Sequence, residues 1–281
     1  MTDSVTTIPL STSSRQDALQ YLDSIGLIPA SKHWPNIDPF QFILNLKLNV
    51  EKPESIYPGR ETNFCGYGAI TYLVLQDDPL GYARTLVRLY TDGQADYGSA
   101  RFRPSKEIKP AAGKLRFKGV LDIRPAEQLW FLVLADHFKG YLNFFNRRYD
   151  PGDENSMWAA VNYAKFNRMA RKLLHYQVKA YGSDLFRPSM HHTDEFISKL
   201  TYDGVVVLYL NNRILHKKKL DKIKLAIPTH YVVLQNIHKE GNTLTMQYWD
   251  YGSKTQRQMT PSFFRKLVFG ISYCTKKATR E

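Results

Sequence analysis

At 281 residues, with 43% hydrophobic and 13% aromatic content, the chain can bury one large core or two lobes. No apolar run reaches the roughly 18 residues that a membrane-spanning helix needs, and Met1-Thr2-Asp3-Ser4-Val5-Thr6-Thr7 has neither the basic start nor the apolar stretch of a signal peptide. Two cysteines give no disulfide framework and suit synthesis in a reducing cytoplasm.

The elements follow in chain order. Residues 1–14 are Ser/Thr-rich and read as a flexible leader. Arg15 to Ile25 has helical spacing (Ala18, Leu19, Leu22, Ile25) and ends at Gly26, a suitable C-terminal cap. Asp38 to Val50 predicts a second helix, stopped by Lys52-Pro53-Glu54. Gly66 to Gln76 is a third, stopped by Asp77-Asp78-Pro79, because proline lacks the amide donor and turns the residue before it away from helix. Leu80 to Tyr90 follows, ending near Asp92-Gly93. Arg103 to Lys118 is punctuated by Pro and Gly and reads as a long connection with room for one strand. Arg124 to Phe138 and Asn155 to Tyr176 read as long helices, the second offering Trp158, Val161, Phe166 and Leu173 for burial. Then the texture changes. Gly204 to Leu210 predicts a buried strand, His230 to Ile237 and Thr243 to Asp250 a hairpin, and Phe263 to Tyr273 a last segment of the β-rich half.

Cys65 opens the third helix. In the first turn, amides outside the helix's own ladder and the macrodipole favour a negative charge, and the thiolate is the reactive form of cysteine. Gly66 and Gly68 are expected to leave room for a substrate backbone beside the sulfur. Asn63 either caps the helix or donates to a developing oxyanion. A buried structural thiol is the plain alternative for a lone cysteine.

The hairpin adds what the thiol lacks. With His238-Lys239-Glu240-Gly241-Asn242 as its turn, centred on Glu240, Asn236 faces Leu244, Leu234 faces Met246, Val232 faces Tyr248 and His230 faces Asp250. Directly opposed residues share a sheet side, with Cβ atoms about 4.5–5.5 Å apart. The register that pairs apolar residues thus brings an imidazole to a carboxylate. Trp249, beside Asp250, is expected either to shield that pair from water or to serve as an ordinary sheet-face aromatic.

The ordered trio resembles the papain-like cysteine peptidase superfamily, with Cys-Gly opening a helix (Cys65-Gly66), a His followed by apolar residues (His230-Tyr231-Val232-Val233) and a Trp-Asp pair (Trp249-Asp250). The long stretch between Cys65 and His230 suits that superfamily and far exceeds the spacing of NlpC/P60-type peptidoglycan peptidases. The resemblance covers three short segments. It implies an α+β fold with a helical N-terminal lobe (about 15–180) carrying the Cys helix, a β-rich C-terminal lobe (about 200–281) carrying His and Asp, and a cleft between them. It also implies Cys65 as nucleophile, His230 as base and Asp250 as the orienting group. Asn63, Gly66 and Trp249 would be accessory positions. Where papain carries an oxyanion-stabilising Gln, six residues before the Cys, this chain has Gly59.

The expected substrate is a peptide or protein amide, and no cofactor is called for. His191-His192 with Asp194 lacks a second cluster at metal spacing, and Gly66-Tyr67-Gly68 lacks the strand and further glycines of a nucleotide loop. Cys274, near Lys276-Lys277, reads as a packed thiol. A net charge of +13, clustered at Lys114 to Lys118, Arg147-Arg148 and Lys217 to Lys224, would attract an acidic substrate, an anionic membrane surface or nucleic acid. No nucleic-acid-binding signature accompanies it. The same trio also fits deamidation, transglutamination or cell-wall amide cleavage, and a basic binding module with an idle trio is the third reading. Papain-like bacterial effectors and toxins share this composition, which implies export by a specialised secretion system and a partner immunity or inhibitor protein.

Overall fold

Three helix starts in the first half of the chain follow the side chains that precede them. The computed structural model describes residues 11–116, 119, 121–144, 146–199, 204–211 and 228–276. Residues 1–10 of the expected leader, Phe117-Lys118 of the first basic cluster and the Lys217–Lys224 cluster lie outside them. The chain divides into two units, one ending at His175 and one beginning at Tyr176.

In the first unit Ser14 accepts from Asp17 N (3.0 Å) and opens α1 (Arg15–Ser24). Asp38 accepts from Gln41 N (2.8 Å) at α2 (Pro39–Glu51), and Asp78 accepts from Gly81 N (3.0 Å) at α4 (Pro79–Asp92). Each carboxylate or hydroxyl satisfies an amide that the helix cannot, and the prolines at the second and third starts lose no useful donor. Between α2 and α4 runs α3 (Cys65–Asp77). A short hairpin follows, β1 (Ala95–Tyr97) with β2 (Ala100–Phe102), then α5 (Pro125–His137) and α6 (Tyr163–Leu173). Helices α3 and α5 are buried on nearly all sides, as their unbroken apolar runs require; α4 and α6 bury one stripe each.

Two expectations change here. Thr12 to Ser14 are not loose: Thr12 N donates to Asp77 O (2.6 Å) and Ser13 Oγ to Asp78 Oδ1 (2.6 Å), so the end of the leader closes over the α3–α4 junction. The helix expected from Asn155 begins only at Tyr163, where Asn162 caps it by accepting from Lys165 N (2.7 Å). The preceding stretch is irregular and is fixed instead by Asn143, whose Nδ2 donates to Met157 O and Trp158 O (2.8 Å each).

The second unit is a six-stranded sheet, antiparallel throughout, in the order β3 (Tyr176–Gly182), β8 (Val268–Lys276), β4 (Val205–Leu210), β5 (His230–Glu240), β6 (Thr243–Asp250), β7 (Ser253–Met259). Strand β4, Val-Val-Val-Leu-Tyr-Leu, does not alternate because both of its faces are buried. On one face Leu208, Val232, Met246, Tyr248 and Ile271 pack with Phe196 and Ile197 of α7 (Met190–Lys199) and Phe264 and Leu267 of α8 (Pro261–Leu267). Val207, Tyr209, Tyr231, Val233 and Trp249 are buried on the other. The last expected segment is thus a helix and a strand joined at Leu267–Val268. Among the described residues, no helix is long and apolar enough to cross a membrane.

Lys165 is a buried amine of the first unit. It is 1% exposed; its Nζ donates to Ala160 O (3.0 Å) and lies 5.1 Å from the Tyr67 ring centroid. Burial, aided by the charges of Lys139 and Arg168, brings its ammonium down to about 6. The unfolded chain, where lysine titrates near 10.5, therefore binds the extra proton between pH 6 and 10.5, and this residue's contribution to stability rises with pH across that window. The difference in unfolding free energy between the native chain and Lys165→Met should accordingly change by up to about 1.4 kcal/mol per pH unit there, in favour of the native chain as pH rises. Urea unfolding of both proteins at pH 7 and 9 measures it; a pH-independent difference would refute a buried neutral amine.

Candidate active site

Cys65 lies at the first position of α3 and is 7% exposed. The first bond of the helix runs from Gly68 N to Phe64 O (2.9 Å), which leaves the amides of residues 65–67 outside the helix's own ladder. Phe64, not Asn63, holds the N-cap position, and no side chain caps it. The nearest amide, Phe64 N, donates to Thr62 Oγ1 (3.1 Å), itself anchored to Pro58 O (2.6 Å). Asn63 works as a tether: its backbone N donates to Glu154 O and its Nδ2 to Ser156 O, both at 2.8 Å. Capping by Asn63 is therefore replaced by a clamp that holds the stretch around residues 154–156 against the entrance of the Cys helix.

The two glycines after the thiol serve that same packing. A Cβ on Gly66 would lie 2.9–3.0 Å from three carbons of Val161, and one on Gly68 would lie 3.1 Å from the Pro58 ring. The room expected for a substrate backbone at Gly66 and Gly68 is occupied by the chain itself. Tyr67, between them, is fully buried, and burial, with the neighbouring Cys65 adding, pushes its phenol far above the ordinary range.

In the second unit, His230 Nε2 and Asp250 Oδ1 are 2.5 Å apart, with the residues 1% and 3% exposed. The pairing arises differently from the expected register. The turn is the two-residue Gly241-Asn242, with Gly241 at φ 56°, and Glu240 pairs with Thr243. From Lys239↔Leu244 to Asn236↔Gln247 the two strands run in a register that would set His230 and Asp250 on opposite faces. A β-bulge at Gln235 then inserts one residue, and Leu234↔Tyr248 and Val233↔Trp249 follow. The slip inverts the alternation for the rest of β5, so His230 joins Val232 and Leu234 on the face that carries Tyr248 and Asp250. Burial, with Asp250 adding, pushes the Tyr248 phenol up to about 12.

Trp249 is 1% exposed but pairs with Val233 and Lys254 and alternates to the face away from Asp250; it does not cover the His–Asp contact. Tyr251 does. It follows Asp250 in the two-residue turn Tyr251-Gly252, at φ 42° and 83°, and its ring stacks on the His230 imidazole at 4.5 Å between centroids and 14° between planes. Sequence reasoning missed both Tyr251 and the bulge. The Gly252 that follows Tyr251 was the available sign of a tight turn; nothing marks Gln235.

The remaining candidates have structural partners. Asp194 pairs with Arg265 (2.9 Å), His192 packs on Tyr181 (4.4 Å between centroids), and Cys274 is buried within β8. Among the described residues no three His, Cys, Asp or Glu side chains gather as metal ligands. No family model, curated protein or solved structure matches the chain.

Two substitutions test this geometry. A glycine inside a helix normally gains about 1 kcal/mol on change to alanine; Gly66→Ala should instead lose about 1–3 kcal/mol by overpacking, with part recovered by adding Val161→Ala. Chemical denaturation reads both, and a neutral Gly66→Ala would contradict the Val161 contact. Deleting Gln235 should remove the bulge by joining Asn236↔Gln247 directly to Leu234↔Tyr248 and so keep the His230–Asp250 contact, readable by NMR; loss of the contact in that variant would show that Gln235 is not the extra residue that sets the face of His230.

Proposed function

We propose that the chain is a papain-like thiol hydrolase that cleaves a peptide or isopeptide amide through an acyl-enzyme on Cys65. The observation that carries this reading is the buried His230–Asp250 contact of 2.5 Å, delivered to one sheet face by a bulge, in a chain whose Cys65 opens an apolar helix. Asp250 accepts from Nε2–H of His230 and so assigns Nδ1 as the nitrogen that takes the thiol proton. The Cys65 sulfur attacks the carbonyl carbon, and the amide N–H of Cys65 is a donor for the oxyanion. The C–N bond then breaks as His230 returns the proton to the departing amine, and water, activated by the same imidazole, hydrolyses the thioester. Asp250 keeps its charge throughout and holds the tautomer.

The net charge of +13 supports an acidic substrate or an acidic surface near the scissile bond. A role as an exported bacterial effector or toxin, matched by an immunity protein, extends the proposal to biology on composition and resemblance alone.

A chloroacetamide probe tests the chemistry. Cys65 should be alkylated at neutral pH at least tenfold faster than Cys274, and labelling should vanish in Cys65→Ala while persisting in Cys274→Ala. Asp250→Asn should keep the fold and lower amide turnover by about 10²–10⁴ through the wrong imidazole tautomer. Equal labelling of the two cysteines, with no effect of His230→Ala, would overturn the assignment.

A further inference from the structure

We infer that Tyr251 is a positioning residue for His230: its ring, presented by a left-handed turn, fixes the plane of the imidazole so that Nε2 addresses Asp250. For its catalytic consequence the inference rests on the proposed thiol chemistry; for its geometry it rests only on contacts within the second unit.

A hydrogen bond at Nε2 restrains that atom, and a flat partner restrains the plane of the ring as well. Tyr251 is such a partner, nearly parallel to the imidazole at 14° and 4.5 Å away, a stacking separation.

The backbone points the same way. A φ of 42° is left-handed, the region that glycine and asparagine occupy readily and a bulky aromatic residue does not. Gly252, at φ 83°, fills the second left-handed position of the turn; Tyr251 fills the first against its conformational preference, and its ring contact offsets that strain. The turn has tight ends. Asp250 pairs with Ser253, and Ser253 Oγ donates to Asp250 O (3.1 Å). Carboxylate and ring plate are therefore carried by consecutive residues at one short turn. Trp249, the aromatic expected in this role, lies on the other face of the sheet.

Selectively ¹⁵N-histidine-labelled protein tests this with Tyr251→Phe, which keeps the plate, and Tyr251→Gly, which removes it while relaxing the turn. In the native chain and Tyr251→Phe, long-range proton–nitrogen spectra at neutral pH should show His230 as a single tautomer with its proton on Nε2. In Tyr251→Gly that signal should broaden or split into both tautomers, without a lower urea midpoint, because glycine suits the left-handed backbone. Alkylation of Cys65 should fall tenfold or more in Tyr251→Gly and stay within twofold in Tyr251→Phe. Tyr251→Asn, also at ease with left-handed φ, should repeat the glycine result, which keeps the test valid where glycine loosens the hairpin. A single unchanged tautomer in both the glycine and asparagine variants would overturn the inference, as would a phenylalanine variant as impaired as glycine. Loss of the tautomer with unchanged alkylation would support the placement of Tyr251 and count against the reaction proposed for Cys65.

Discussion

The alternation of side chains along β5 is the constraint on which the His–Asp pair depends. A strand has two faces and no intermediate setting, so the parity of the paired ladder between the hairpin turn and His230 decides whether the imidazole meets Asp250 or points away from it. The ladder next to the Gly241-Asn242 turn has the wrong parity, and the bulge at Gln235 corrects it. The same correction keeps Val232 and Leu234 with the apolar face below Tyr248, so core packing and the polar pair demand the same slip. A bulge that satisfies both is held by the sheet as a whole rather than by its own local geometry.

Much of this could be read from the residues. Helix starts carried by Ser14, Asp38 and Asp78 and stops at Gly26, Gly93 and the Pro-containing junctions have local causes, and the structure follows them to within one or two residues. The His230–Asp250 contact was reached from hairpin periodicity, though by a register that the structure replaces. Strand β7, Ser-Lys-Thr-Gln-Arg-Gln-Met, gave no strand signal because it is a polar edge with little to bury. The short hairpin β1–β2 and strand β3 were missed for a related reason: three residues, or an exposed seven, carry little periodicity.

What was least legible is what depends on partners distant in sequence. Gly66 looks like an opening beside a thiol until Val161, almost a hundred residues later, fills it. Asn63 looks like a cap until Ser156 takes its amide. Lys165 carries no local mark of burial, yet the structure keeps its amine inside, against Ala160 and the Tyr67 ring. In each case local chemistry narrows the options and a long-range neighbour selects among them.

The strand order carries a consequence for how the second unit comes into being. Strand β8 is the last of the described strands, yet it lies between β3 and β4, and among the described residues it alone pairs with β3. While residues 268–276 are still inside the ribosome, β4 presents one bare edge and β3 stands alone, so only the block from β4 to β7 can form ahead of time. That edge, Val-Val-Val-Leu-Tyr-Leu, is apolar and hydrogen-bond-hungry, the combination that invites pairing with a stranger. The interval between synthesis of β4 and arrival of β8 is therefore when this polypeptide is most exposed to misassembly, and a chaperone that shields an apolar strand would act there.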